Sequence, residues 1–301
     1  MSLSAYNIKV RHHKNGLTEF RVYEKAVRVG NVPKIKERKC VLVDVPFEDE
    51  PVKMKNIKDA DGFCNPIDNG VLNLQRSVKR TRDCVFDYAN ATIWEWFCTF
   101  TFDANYVDKK GNKLDRSNFE IVSSKMTAWL RNMRLRYCPN MKYVLVPEKH
   151  KDGSWHFHGL FADCEGLQFV AAINMQKMYK GKPNKYYGMP LVRNGEQVFD
   201  ISRFTLGFTD CTRVRDTKKV ANYILKYITK DLCCDVRNRK RYWNSKNLEK
   251  PSESCFLNEL EFYSSVDSLI VECLKKNPNT YCNTFEVQHG DFTNTITYIY
   301  C

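Results

Sequence analysis

The run Lys142 to Gly159 constrains this chain more than any other. The apolar stretch Tyr143-Val144-Leu145-Val146 leads to Glu148, then to Asp152-Gly153, and then to Trp155-His156-Phe157-His158. Two such runs on either side of an Asp-Gly dipeptide read as a β-hairpin. Side chains alternate faces along a strand, so His156 and His158 point the same way. If the loop is Lys151 to Gly153, with Gly153 left-handed, Glu148 lies across from His156, and cross-strand partners share a face. Glu148, His156 and His158 then converge as a divalent-metal site. A two-residue loop would pair Glu148 with Phe157 and turn the carboxylate away, so register decides the matter.

A second motif lies downstream. Asp216 is an N-cap residue, and the segment through Asp231 has helical periodicity. Val220, Ile224 and Ile228 form an apolar stripe at four-residue spacing that would face a core. Tyr223 and Tyr227 are also four apart, which stacks them one turn above the other. Lys226 and Lys230 each follow a tyrosine by three residues, so the pattern Tyr-x-x-Lys occurs twice in succession.

These motifs resemble those of HUH endonucleases of the rolling-circle replication initiator (Rep) type, as found in phages and bacterial mobile elements such as plasmids. Phe97-Cys98-Thr99-Phe100-Thr101-Phe102 is similar to the first motif of that family, a core strand of alternating Thr and apolar residues. Glu148 with His156-Phe157-His158 is similar to the metal motif, and Tyr223-Ile224-Leu225-Lys226-Tyr227 to the nucleophile motif in its two-tyrosine form. The likeness covers about residues 75–250. It implies a nickase that attacks single-stranded origin DNA with tyrosine, leaving a 5′-phosphotyrosine link and a free 3′-hydroxyl, and later rejoins strands. It also implies Mg²⁺ or Mn²⁺ as cofactor, a host helicase and polymerase as partners, and the cytoplasm of a bacterial host as location. Imidazole ligands suit Mn²⁺, while cellular abundance favours Mg²⁺.

Within this reading Tyr223, Tyr227 and Lys226 carry the chemistry. Two tyrosines one turn apart would let one hold a DNA end while the other cuts again. A single nucleophile with the other ring packed fits the repeated pattern equally well; Tyr227 is then favoured, because both lysines lie within one turn of it. Lys230, with Arg131 and Arg134 on the helix expected over 117–137, are candidate DNA contacts.

Composition agrees with a nucleic-acid enzyme. The chain carries a net charge of +13, which attracts phosphate chains. Residues 252–301 hold two Lys/Arg and seven Asp/Glu, so the first 251 residues carry +18. No run of about 18 apolar residues and no charged-then-apolar leader is present, so neither a membrane span nor secretion is expected. The 13 cysteines are odd in number and lack Cys-x-x-Cys spacing, which reads as scattered reduced thiols. No phosphate-loop motif accompanies them, so no helicase is built in.

Two other classes compete. A 2-His-1-carboxylate site also occurs in non-haem iron oxygenases, but that class leaves the paired tyrosines and the basic charge unexplained. A DNA-binding regulator that kept the fold without catalysis would bind DNA unaffected by chelators and form no adduct. Within the HUH class, relaxases place the nucleophile before the histidines, whereas Tyr223 follows His158 by 65 residues; small transposases share the present order but are much shorter.

Strands interleaved with helices, starting from antiparallel hairpins, predict an α+β fold in which a central antiparallel sheet carries the histidine hairpin and helices flank it. Three parts are expected: a β-rich N-terminal extension over 1–74, an endonuclease domain over 75–251, and an acidic C-terminal segment over 252–301. Short strands are expected over 5–50, with a first hairpin turning at Lys14-Asn15-Gly16, and a polar connection over 51–72. Residues 178–200 read as an insertion rich in Lys and Tyr.

Overall fold

The computed structural model describes residues 5–28, 69–236, 239–258, 260–278, 280–289 and 292–301. The strands expected within 29–50 and most of the connection over 51–72 lie outside these residues. In chain order the elements begin with β1 (Ala5–His12), β2 (Thr18–Arg28), α1 (Asn69–Ala89) and β3 (Trp96–Phe102). Then come α2 (Phe119–Arg136), β4 (Lys142–Lys149), β5 (Trp155–Ala162) and β6 (Phe169–Ala171). Two short hairpins follow, β7 (Met178–Tyr179) with β8 (Lys182–Pro183), and β9 (Val192–Arg193) with β10 (Glu196–Gln197). The next elements are β11 (Phe199–Ile201), β12 (Gly207–Arg213), α3 (Thr217–Ile224), α4 (Lys230–Asp235) and β13 (Trp243–Asn244). The last are β14 (Ser252–Phe256), α5 (Phe262–Lys276), β15 (Tyr281–His289) and β16 (Phe292–Tyr300). The fold is α+β, with antiparallel sheets and five helices among the described residues. No described helix is long and apolar enough to cross a membrane.

The chain forms two compact units, one from the described parts of Met1–Pro66 with Pro251–Cys301, the other from those of Ile67–Lys250. In the first, a five-stranded sheet runs in the order β14-β1-β2-β16-β15. The N-terminal hairpin turns where expected, with Gly16 at φ +83°. Its second strand pairs with the last strand of the chain, Phe20 opposite Ile299 and Val22 opposite Thr297. Segments that sequence reading separates as extension and tail therefore share one sheet. Ile8, Val10, Val22 and Ile299 pack against Val266 and Cys273 of α5, so neither segment has a core without the other.

The second unit holds a seven-stranded antiparallel sheet in the order β13-β4-β5-β3-β12-β11-β6. Strand β3 explains its two faces. Trp96, Cys98, Phe100 and Phe102 are buried, while Phe97, Thr99 and Thr101 between them are half-buried, the period of two that a pleated strand imposes. The first set faces α2, where Phe100 lies 5.3 Å from Trp129 and Phe119 lies 4.7 Å from Trp155 between ring centres. Helix α2 starts at Asn118, whose side chain accepts hydrogen bonds from the Glu120 and Ile121 amides. α1 and α4 pack against β4 and each other. At Gly159 a Cβ would come within 2.3 Å of Leu145 Cδ1, so the close approach of β4 and β5 requires glycine.

The helix expected to run unbroken from Asp216 to Asp231 is interrupted. α3 ends at Ile224, Leu225–Tyr227 tighten into a 3-10 turn, and Ile228 leaves helical geometry at φ −92°, ψ 85°. Thr229 then caps α4, its hydroxyl accepting the Leu232 amide at 3.0 Å. Thr229 followed by Asp231 is itself a helix-start signal, and burial of Ile228 holds the break in place.

Candidate active site

The β4–β5 hairpin closes through His150 N–H to Ser154 O at 2.8 Å and Gly153 N–H to His150 O at 2.9 Å, with Gly153 at φ +84°. Asp152 Oδ1 accepts both the Ser154 amide at 3.0 Å and its hydroxyl at 2.6 Å. The loop is therefore three residues long, and Glu148 stands opposite His156.

The side chains above this register arrange themselves differently from the expected triad. Glu148 Oε2 lies 2.7 Å from His158 Nε2 and 3.6 Å from His150 Nε2. Among the described residues, ligand atoms of Glu148, His150 and His158 lie within 4.8 Å of one another. His156 shares the face, but its Nε2 is 3.2 Å from the Ser154 hydroxyl and its ring stacks on His150 at 3.6 Å. His150 was missed from the sequence, although it follows Glu148 by two residues and so continues the same face.

Strand β3 holds both imidazoles from behind. Thr99 Oγ1 lies 3.1 Å from His158 Nδ1, and Thr101 Oγ1 lies 2.9 Å from His156 Nδ1. A neutral imidazole carries one N–H; when Nδ1 donates it to threonine, Nε2 becomes the acceptor. An Nε2 lone pair facing a carboxylate at 2.7 Å needs a cation between them, a proton or a metal. Protonation tendencies favour the metal-ready forms. Burial lowers His158 despite Glu148 beside it. Burial, then the neighbouring His150 and His158, lowers His156 to about 4. The His158 hydrogen bond holds Glu148 below the ordinary carboxylate value against the effect of burial. Two neutral imidazoles and one anionic carboxylate match the donors a divalent cation takes.

The helical motif meets the hairpin here. Tyr227 stacks on His158 at 3.8 Å with the rings 6° apart, and Tyr223 meets the Phe97 ring edge-on at 5.4 Å. The Tyr227 hydroxyl donates to that of Tyr223 at 3.3 Å. The Lys226 ammonium also donates to the Tyr223 oxygen and sits 3.6 Å from that ring's centre. The two phenols differ sharply. Tyr223 is 46% exposed and Tyr227 8%. Burial would raise the Tyr223 phenol, but hydrogen bonds from Lys226 and Tyr227 outweigh it and bring it below the ordinary value. Burial, and then Tyr223, push the Tyr227 phenol up.

The other expected residues are placed as follows. Lys230 opens α4 beyond the break at Ile228, so it does not continue the helix that carries Tyr227; its side chain is outside the described ones. Arg131 and Arg134 lie on α2, behind the sheet from the histidines, and Arg134 donates to the Pro139 carbonyl at 3.4 Å.

Residues 95–232 match a family model of replication-associated proteins of the ORF2 type. The matched span takes in β3, the histidine hairpin and both tyrosines, and it supports a replication-associated protein with a role in replication initiation. No curated protein and no solved structure matches the chain.

Proposed function

We propose that the unit 67–250 is a metal-dependent endonuclease and strand transferase that nicks single-stranded origin DNA through Tyr223. The observation that carries this reading is the stacking of Tyr227 on His158, which links a tyrosine pair to a histidine–carboxylate cluster 65 residues earlier in the chain. Neither an oxygenase nor a binding module needs that juxtaposition.

Glu148, His150 and His158 would hold Mg²⁺ or Mn²⁺, with His156 as the further donor. Such a cation neutralises charge on a non-bridging phosphate oxygen. Lys226 holds the Tyr223 phenol and favours its ionised form. The phenolate oxygen forms a bond to phosphorus, the bond from phosphorus to the 3′-oxygen breaks, and that oxygen takes a proton to become the free 3′-hydroxyl. The phenol proton leaves to solvent. One phosphodiester replaces another, so the step is reversible and strands can be rejoined. Tyr227 orients the Tyr223 oxygen through its hydroxyl and can act as second nucleophile once the first is occupied. The 3′-end would pass to a host polymerase, with a host helicase opening the duplex.

The test is to incubate wild type with labelled single-stranded origin candidates and Mn²⁺, then map any protein–DNA adduct by mass spectrometry. An adduct on Tyr223 is expected. No tyrosine adduct on any candidate, together with chelator-independent binding, would replace this reading with that of a non-catalytic regulator.

A further inference from the structure

Between Ala172 and Val198 the chain leaves the sheet as an arm. Its base is clamped: Ala172 N–H donates to Val198 O at 2.9 Å and Leu191 N–H to Ala172 O at 2.8 Å. The Gln197 side-chain amide adds donations to Ala172 O at 3.1 Å and Leu191 O at 3.2 Å. The arm carries Lys177, Lys180, Lys182, Lys185 and Arg193 against a single acid, Glu196, a net charge of +4 in 27 residues. Its aromatic rings are on the outside: Tyr186 is 54% exposed and Tyr187 43%. Lysines accompany them, with Lys185 Nζ 4.8 Å from the Tyr186 ring centre and Lys177 Nζ 5.9 Å from that of Tyr187.

This surface runs on from the candidate active site. Thr99, which bonds His158, stands opposite Asp210 on β12, and Asp210 pairs with Arg193 at the foot of the arm. Thr101, which bonds His156, stands opposite Phe208. Cross-strand partners share a face, so Phe208 projects from the histidine face of the sheet, where it is 63% exposed. An apolar ring left in solvent two strands from the histidines, with lysine–tyrosine pairs beyond it, has the make-up of a base-stacking platform beside a phosphate-binding stripe.

We infer that Phe208 and the arm form a docking track for single-stranded DNA, in which Phe208 stacks a base near the scissile phosphate and the lysines follow the backbone of the strand leaving the site. The inference rests on the reading of the histidine–tyrosine site as a single-strand nuclease. Positive charge favours a polyanion, and the exposed rings favour one whose bases are unpaired, since a duplex hides its base faces.

Anisotropy of a labelled single-stranded oligonucleotide, measured with the full chain in EDTA, tests the track without any cleavage. Replacing Lys177, Lys182 and Lys185 together by Ala should weaken binding by about tenfold or more and flatten the slope of log affinity against log salt by about 2, at roughly 0.7 per lost phosphate contact. Phe208→Ala should weaken binding by about tenfold with the slope unchanged, as loss of one stacked base does. Lys275→Ala with Lys276→Ala, on α5, should change neither quantity. If the triple variant and Phe208→Ala both bind like wild type, the track is overturned, and the arm is left to a protein partner. The two readings fail separately. Tyrosine adducts with unaltered binding in the variants would sink the track alone, and weakened binding with no adduct in wild type would sink the nuclease reading while the track stands.

Discussion

Two carboxylates, one in each unit, are held in opposite ways. Glu19 is 1% exposed, and its neighbours are permanent cations: Arg11 at 2.9 Å, and Arg21 at 2.5 Å on the other oxygen. Burial opposes ionisation, but His13, Arg21 and Arg11 together lower its pKa to about 2. Glu148 is half-exposed, and its nearest partners are imidazoles that burial drives toward their neutral forms. One carboxylate is neutralised from within the fold. The other faces donors that have no fixed positive charge, so a cation from outside completes the cluster. A closed ion network is the mark of a structural role, and a carboxylate left facing neutral ligands is the mark of a chemical one.

The largest expected effect breaks the closed network. Glu19→Gln leaves two buried arginines without their anion and should destabilise its sheet by about 3–5 kcal/mol, seen as faster amide exchange in β1, β2 and β16. Adduct formation at Tyr223 should be retained. The same network sets an acid limit. Because the folded pKa of Glu19 lies below its ordinary value, its contribution is complete above about 4.5 and is lost as pH falls toward 2. Protection of β2 amides that stays constant across that window would contradict the assignment.

Glu148→Gln should do the reverse. Melting should change by no more than about 0.5 kcal/mol, as at an uncrowded surface position, while Mn²⁺ affinity by calorimetry falls on the order of a hundredfold. If metal affinity holds and the melt collapses, the contrast between the two carboxylates is wrong.

The tyrosines sharpen the comparison further. Tyr223→Phe should lower the single-turnover rate of adduct formation about a hundredfold or more, because it removes the exposed, Lys226-bonded phenol. Tyr227→Phe should cost about tenfold, through loss of one hydrogen bond to the reacting oxygen, and the double variant should form no adduct. Equal effects from the two single changes would favour interchangeable nucleophiles.

The smallest expected effect concerns the supports. Thr99→Val removes the hydroxyl behind His158 at nearly constant volume, and Mn²⁺ binding should weaken roughly tenfold, the lower end for a lost outer partner of a metal ligand. Thr99→Ser, which keeps the hydroxyl, should restore most of it.

What local sequence determined is the part of this protein that short-range rules govern. Asp152-Gly153 set the three-residue loop, and from it followed the register of Glu148 against His156. Strict alternation in Phe97 to Phe102 set one face for packing and one for polar contacts. Asn118 and Pro139 bounded the long helix. Each of these depends on turn chemistry, strand period or capping, and so on neighbours a few residues away. Tertiary structure decided the rest. His150 rather than His156 turns toward Glu148 because Ser154 takes the His156 nitrogen and the two rings stack, a choice of rotamers that register leaves open. Tyr223 rather than Tyr227 is left in solvent because Tyr227 is covered against His158, a contact across 69 residues of chain. The ends of the chain join in one sheet because each lacks apolar partners of its own. No local pattern encodes such pairings, since burial rewards whichever distant surfaces fit, and that fit exists only in the folded chain.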